Sequence, residues 1–260
     1  MAVEYLLNYD CAVKQELGGA EGFLQLLKDA GRADALSELA KADPDEYTDD
    51  TVFTFARQDA RGRQVQEQLT LREIRERGSR LAGYEGQCRD CPANVFQAAG
   101  GCSGAINYPI SAKAEQWLLS CLPDDLEDSV RGKLVKAFIK DFSRNGRIVD
   151  ANRRDGSLYE SRKPLLRTWG SGWFGKTKCT SSVLLGNLYH VGEVQPYHGA
   201  LMAYFLGAVD EMPAPDRSAT PEFKWNVDQL PDDPSTRQIA SMFRVLYRGY
   251  TLDVSTYVEP

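Results

Sequence analysis

The stretch T-V-F-T-F-A-R-Q-D-A-R-G-R-Q-V-Q-E-Q-L-T-L at residues 51–71 decides the fold class, because two short alternating segments flank a polar turn. Thr51 to Phe55 and Val65 to Leu71 alternate with a period of two, which is typical of β-strands. Gly62 supplies a residue that adopts a positive φ easily. The stretch therefore predicts a β-hairpin over 51–71.

Outside the hairpin, strands are predicted at residues 1–10 and 252–258, and helices fill most of the chain between them. Apolar spacing and capping residues predict helices over 21–30, 32–42, 71–82, 111–122, 124–139, 182–191, 196–209 and 233–246. This order favours an α+β fold, a mainly helical single domain over 1–260 with a small antiparallel sheet made of the N-terminal strand, the hairpin and the C-terminal strand. Embedded in that domain are a cysteine-rich segment at 84–110 and a proline-rich connection at 211–234.

Composition is that of an ordinary globular protein, with 42% hydrophobic and 26% charged residues in a chain of 260. A net charge of -6 disfavours a strongly basic nucleic-acid binder. The chain has no signal-peptide pattern at its start and no apolar run long enough to span a membrane. We therefore expect a cytoplasmic protein without a membrane partner, in which the six cysteines are not stable disulfides.

The strongest chemical signal is the cysteine cluster C-R-D-C-P-A-N-V-F-Q-A-A-G-G-C, which places Cys88, Cys91 and Cys102 in one short segment. A Cys-x-x-Cys turn lets two thiolates point at one ion and is the usual half-site of structural zinc. The segment predicts a zinc site with these three ligands, or an iron–sulfur cluster, since Cys-Pro also occurs there. The fourth ligand would come from Cys11, Cys121, Cys179, His190 or His198.

Two other hypotheses for the cysteine cluster stay open. The thiols could be inert core residues, or they could be redox-active if a helix over 92–99 lowered their pKa values. Such a helix would be about 12 Å long and would separate Cys91 from Cys102. Cys102 also lies in a Gly-x-Cys-x-Gly pattern, but the extended segment after it does not suit a nucleophile elbow.

A second pattern, Gly170-Ser-Gly-Trp-Phe-Gly175-Lys176-Thr177, matches the phosphate loop Gly-x4-Gly-Lys-Thr. Lys176 would bind phosphate oxygens, and the Thr177 hydroxyl would bind magnesium. The preceding segment contains Arg167 and Thr168, whereas a phosphate loop follows a continuous apolar strand. Because the pattern matches but its context does not, a nucleotide-binding site is kept as the alternative prediction.

Two further features carry weaker signals. His190 and His198 flank a turn with Glu193, a combination that suits a metal or acid–base corner, although a histidine at a helix end more often bonds a backbone carbonyl. The stretch 144–162 holds five arginines and reads as a solvated surface loop, with an anionic ligand as the alternative.

Taken together, these patterns predict a cytosolic metal-binding protein, with zinc as the metal and a binding or regulatory role. The alternative is an enzyme, either nucleotide-dependent through residues 170–177 or dependent on cysteine and histidine. A third interpretation is an interaction protein with inert cysteines.

Overall fold

The computed structural model describes residues 2–58, 64–154, 156–170, 176–188, 192–211 and 223–259. Its strands and helices follow one another along the chain as β1 Ala2–Leu7, α1 Ala12–Glu16, α2 Ala20–Ala42, β2 Val52–Gln58, β3 Gln64–Thr70, α3 Leu71–Ser79, α4 Glu85–Arg89, β4 Ser103–Asn107, α5 Ala112–Ser120, α6 Val130–Phe142, α7 Gly146–Asn152, β5 Leu166–Trp169, β6 Thr177–Thr180, α8 Ser181–Leu188, β7 Gly192–Val194, α9 Pro196–Phe205, α10 Pro234–Leu252 and β8 Thr256–Glu259. The mainly helical α+β fold predicted from the sequence is confirmed.

The chain divides into two compact units. The hairpin unit comprises Asp10–Gly101, and the sheet unit comprises Met1–Tyr9 with Cys102–Pro260. The prediction of one domain over 1–260 stays a prediction.

Within the described residues, the antiparallel strands form three separate sheets. Strands from both ends of the chain meet in a four-stranded sheet of order β4-β1-β8-β7. The predicted hairpin is present as β2 and β3, whose pairing runs from Val52↔Thr70 to Gln58↔Gln64, but it forms a sheet of its own. Its turn residue Gly62 lies outside the described residues. Strands β5 and β6 form the third sheet.

In the hairpin unit, one long helix replaces the two helices predicted at 21–30 and 32–42. Helix α2 continues through Gly31, because α3 packs along it there. The approach is close at Gly78, where an added Cβ would lie 2.6 Å from the Ala33 side chain. This packing outweighs the roughly 1 kcal/mol by which an interior glycine disfavours a helix. The small core beside it holds Ala33, Leu69 and Ile74, with Phe53 and Phe55 from the hairpin.

In the sheet unit, several helix starts follow the predicted capping chemistry. The Ser111 hydroxyl accepts a hydrogen bond from the Ala114 backbone at 3.0 Å, and Asp233 accepts one from the Thr236 backbone at 2.7 Å. Pro196 opens α9 as predicted. Helix α10, which Asp233 caps, buries one face along its whole length against the sheet and α9.

The helix predicted over 124–139, where Asp124 and Glu127 have the spacing of a capping box, does not begin there. Helix α6 begins at Val130, capped by the Ser129 hydroxyl, which accepts from the Gly132 backbone at 2.9 Å. The Asp124 carboxylate instead accepts a hydrogen bond from Arg167 at 2.7 Å. A charged partner distant in sequence therefore displaces the local cap.

The prediction of a surface loop over residues 143–161 is also wrong in part. Residues 146–152 form α7, and Arg153, which follows it, is only 1% exposed. Its guanidinium donates to both carboxylate oxygens of Glu115, at 2.8 and 2.6 Å, and Glu115 is fully buried. Arg153 also donates to Ser182 Oγ at 3.0 Å and to the Ser161 carbonyl at 2.9 Å. A buried charge needs this kind of complete pairing.

The same ion pair fixes the start of α8. The Ser181 hydroxyl donates to the Glu115 carboxylate and accepts from the Leu165 backbone N–H at 3.1 Å. The Ser181 N–H donates to the Leu165 carbonyl at 2.9 Å. The Tyr159 ring covers Arg153, with the guanidinium carbon 4.5 Å from the ring centroid. Helices α5, α7 and α8 are therefore joined through one buried charge network.

We expect Arg153→Leu to lower the free energy of unfolding by about 3–5 kcal/mol, because it leaves the Glu115 carboxylate buried without its partner. Urea denaturation measures the effect. The neighbouring Arg154 is exposed and provides the matched control, since Arg154→Leu should change stability by no more than about 0.5 kcal/mol. The double variant Arg153→Leu/Glu115→Leu should recover much of the loss. If Arg153→Leu and Arg154→Leu lowered the free energy of unfolding equally, the buried ion pair would not have this stabilising role.

Candidate functional site

The Cys-x-x-Cys pair forms the tight turn that the sequence predicts. Cys88 is the penultimate residue of α4 and is buried, whereas Cys91 is half-buried beyond the end of the helix. The Cys91 N–H donates to the Cys88 carbonyl at 3.1 Å, which closes the turn. Both thiols therefore belong to one compact turn of the hairpin unit.

The segment after this turn is a closed loop and not the helix considered for residues 92–99. Asn94 holds it, since its side-chain amide donates to the Cys88 carbonyl at 2.7 Å and to the Ala98 carbonyl at 3.1 Å. The Val95 N–H donates to the Gly101 carbonyl at 2.9 Å. Asn94 therefore brings the end of the segment back toward its beginning. The objection that a helix would separate the cysteines does not apply to this loop.

Cys11 is a third thiol of the hairpin unit. It caps α1 at its N-terminus, and α1 packs against α4, which carries Cys88. Burial raises the pKa of the Cys91 thiol, and the nearby Cys11 and Cys88 thiols raise it further, because adjacent negative charges repel one another. A backbone hydrogen bond from Ala93 opposes these effects.

These features argue against the redox reading. A redox-active thiol needs a lowered pKa, which a helix N-terminus can provide. Cys88 instead lies near the C-terminal end of α4 and not at a helix N-terminus. The raised pKa of Cys91 also argues against a redox-active thiol.

Metal ligands are a separate question. Among the described residues, no three His, Cys, Asp or Glu side chains lie close enough together to form a metal-binding group.

The other predicted ligands have different surroundings. Cys102 is buried, and its carbonyl accepts from the Leu7 N–H at 2.9 Å in the sheet unit. Cys121 ends α5 and Cys179 lies in β6, both also in the sheet unit. Burial raises the pKa of each of these two thiols to about 12. A strand, β4, follows Cys102, so the helix that a nucleophile elbow needs is missing there.

The Gly170–Thr177 pattern lies on a hairpin. Trp169 and Thr177 are paired in the antiparallel strands β5 and β6, and Lys176 is exposed beside them. A phosphate loop of the usual kind leads from a parallel strand into a helix, whereas Thr177 begins a strand. Gly175 lies outside the described residues, and nucleotide binding here stays an alternative prediction.

The histidine corner and the arginine-rich stretch have structural partners. His198 Nε2 lies 3.1 Å from the Asn187 carbonyl, the backbone bond expected for a histidine at a helix end. The Glu193 carboxylate accepts from Asn8 at 3.2 Å and also from Ser255. His190 lies outside the described residues. In the stretch 144–162, Arg153 is committed to Glu115, while Arg144, Arg147, Arg154 and Arg162 are exposed.

We expect Gly101→Ala to destabilise the closed loop by about 1–3 kcal/mol, because the added Cβ would lie 2.0 Å from Asn94 Oδ1 and 3.1 Å from the Ala98 carbonyl. Thermal and urea denaturation measure the loss. Gly86→Ala in α4 is the matched control, since nothing lies within 4 Å of its added Cβ, and it should keep or raise stability. A Gly101→Ala variant as stable as the control would show that Asn94 does not hold the loop.

Comparison with known protein families, curated proteins and solved structures finds no match for the chain. None of the described helices is both long and apolar enough to cross a membrane. The chemically distinctive feature of the described residues is therefore the Cys88–Cys91 turn at the start of the closed loop.

Proposed function

We propose that the chain is a cytoplasmic metal-binding protein with a binding or regulatory role, and that its metal is zinc held by Cys88 and Cys91. The observation that carries this proposal is the closed loop of residues 88–101. A Cys-x-x-Cys turn forms its start, and Asn94 anchors both the turn and the residues near its end. Such a loop orders ligand residues before an ion arrives.

Cys11 and Cys102 are the further ligands that we propose. Cys11 begins the helix that packs against α4, and Cys102 follows Gly101, the last residue of the closed loop. Four thiolates satisfy the tetrahedral preference of zinc, and the same donor set also suits an iron–sulfur cluster. Because the described residues hold no ready-made ligand group, binding would require the cysteine side chains to turn toward a shared ion.

The state of the thiols agrees with this chemistry. All six cysteines are free of disulfides, as expected in a reducing compartment. Zinc binds the thiolate form and displaces the thiol proton, so zinc affinity at this site should rise with pH. Inert thiols would need no anchored loop around them, which is why we favour the metal over that reading.

Metal analysis by mass spectrometry on the purified, tag-free full chain tests the proposal. We expect about one zinc per chain, lost in Cys88→Ser and Cys91→Ser. Cys121→Ser is the matched control and should retain the metal, because Cys121 lies in α5's final turn and not in the cluster. Iron with a visible absorption band would assign a cluster instead of zinc. A metal-free wild type, or equal metal in Cys88→Ser, would overturn the proposal.

Cys11→Ser and Cys102→Ser test the other two ligands, and removal of the metal tests its structural role. A chelator should lower the midpoint of thermal unfolding of the wild type, because the free energy of metal binding contributes to folding. The same treatment should leave the midpoint of Cys88→Ser unchanged. If both proteins responded equally, the chelator would be acting elsewhere than at the cysteine cluster.

A further inference from the structure

One cleft of the sheet unit is lined by four lysines and a threonine, and we call it the lysine cleft. Its volume is about 500 Å³, within the range of small-molecule sites. Helix α6 contributes one wall and strand β6 contributes the other. The polar lining residues are Lys133, Lys136, Lys140, Thr177 and Lys178.

The three lysines of α6 share one helix face. Their spacing of three and four residues makes Lys133, Lys136 and Lys140 neighbours on the helix surface. Like charges at this spacing destabilise a helix, and Lys178 adds a fourth positive charge from β6. The chain as a whole is acidic, with a net charge of -6. The local excess of positive charge therefore does not follow from the overall composition.

Most of this charge has no counter-ion within the described parts of the chain. Lys136 forms an ion pair with Glu127 at the helix start. No described carboxylate forms an ion pair with Lys133, Lys140 or Lys178. An anion in the cleft would relieve the repulsion between the lysines and accept hydrogen bonds from their ammonium groups.

The cleft also includes part of the phosphate-loop pattern. Thr177, the last residue of that pattern, lines the cleft, and Lys178 follows it in the same strand. Thr177 is the one hydroxyl-bearing residue among the residues that line the cleft. Lysine binds phosphate as a flexible point charge, without the fixed two-pronged geometry of arginine. Several mobile ammonium groups around one cleft suit a ligand with several phosphate oxygens.

We propose that the lysine cleft binds a small polyanion that carries two or more phosphate groups. The cleft is open to solvent, and its volume of about 500 Å³ matches a small molecule, whereas the acidic net charge of the chain disfavours an extended nucleic acid or a membrane surface. Binding here needs neither the helix N-terminus of a standard phosphate loop nor the metal site in the hairpin unit.

Titration calorimetry of the full chain with inorganic triphosphate tests the proposal. We expect binding that weakens as salt is added, and that is tighter than binding of inorganic monophosphate, because more oxygens meet more ammonium groups. Lys140→Gln and Lys178→Gln should each weaken triphosphate binding about tenfold, which corresponds to one lost charge-assisted hydrogen bond. Lys163→Gln, at an exposed lysine that does not line the cleft, is the matched control.

Three outcomes would overturn the proposal. These are no triphosphate binding at low salt, equal weakening by Lys163→Gln, and binding unaffected by both cleft variants. In the first of these cases, tight binding of single-stranded nucleic acid would identify an extended ligand in place of a small one. Cys88→Ser should bind triphosphate like the wild type, so this test is independent of the metal proposal.

Discussion

The ion pair between Arg153 and Glu115 is the constraint on which the sheet unit depends. Both side chains are almost completely excluded from water, so neither charge is tolerable without the other. Glu115 comes from α5 and Arg153 from the end of α7, and the Ser181 hydroxyl at the start of α8 bonds the same carboxylate. A pair that is costly to break thus fixes three helices at one point.

This network also determines the position of the lysine cleft. Strand β6 ends at Thr180, and Ser181 follows at once, so the strand's end is tied to the buried carboxylate. Thr177 and Lys178 lie at the other end of the same short strand. The cleft lysines themselves are mobile, exposed side chains, but the backbone that carries Lys178 is anchored by groups that cannot leave the interior cheaply.

In the hairpin unit, a neutral side chain plays the corresponding part. The Asn94 side-chain amide donates to the backbone carbonyls of Cys88 and Ala98 and so joins the two ends of the loop, and Gly101 is the residue whose missing Cβ leaves room for Asn94. A loop closed by its own hydrogen bonds has already lost the conformational entropy that an ion would otherwise have to overcome. Metal binding at such a site would therefore lock an ordered loop instead of folding a disordered one.

The sequence correctly predicted the structural features that depend on residues close together in the chain. The Ser111 and Asp233 caps and the 51–71 hairpin follow from residues a few positions apart, and the structure has them. The errors arise where a distant partner intervenes. Arg153 looked like one charge in a solvated run because its partner lies 38 residues away, and Asp124 lost its cap to Arg167. The cleft lysines were missed because Lys178 lies on a strand far along the chain, although the spacing of Lys133, Lys136 and Lys140 is visible in the sequence. Asn94 was missed for another reason, since its partners are four and six residues away but an asparagine that bonds loop carbonyls has no distinctive sequence pattern.

The two proposed sites would bind ions of opposite charge, so a ligand of one site should not bind at the other. Thiolates bind a soft or borderline cation and exclude the hard phosphate anion, whereas ammonium groups attract the anion and repel metal ions. The two sites share no residue, so a substitution at Cys88 leaves the lysines in place, and a substitution at Lys140 leaves the thiols in place. A protein that carries both would combine a metal-stabilised unit with a unit that responds to an anionic ligand.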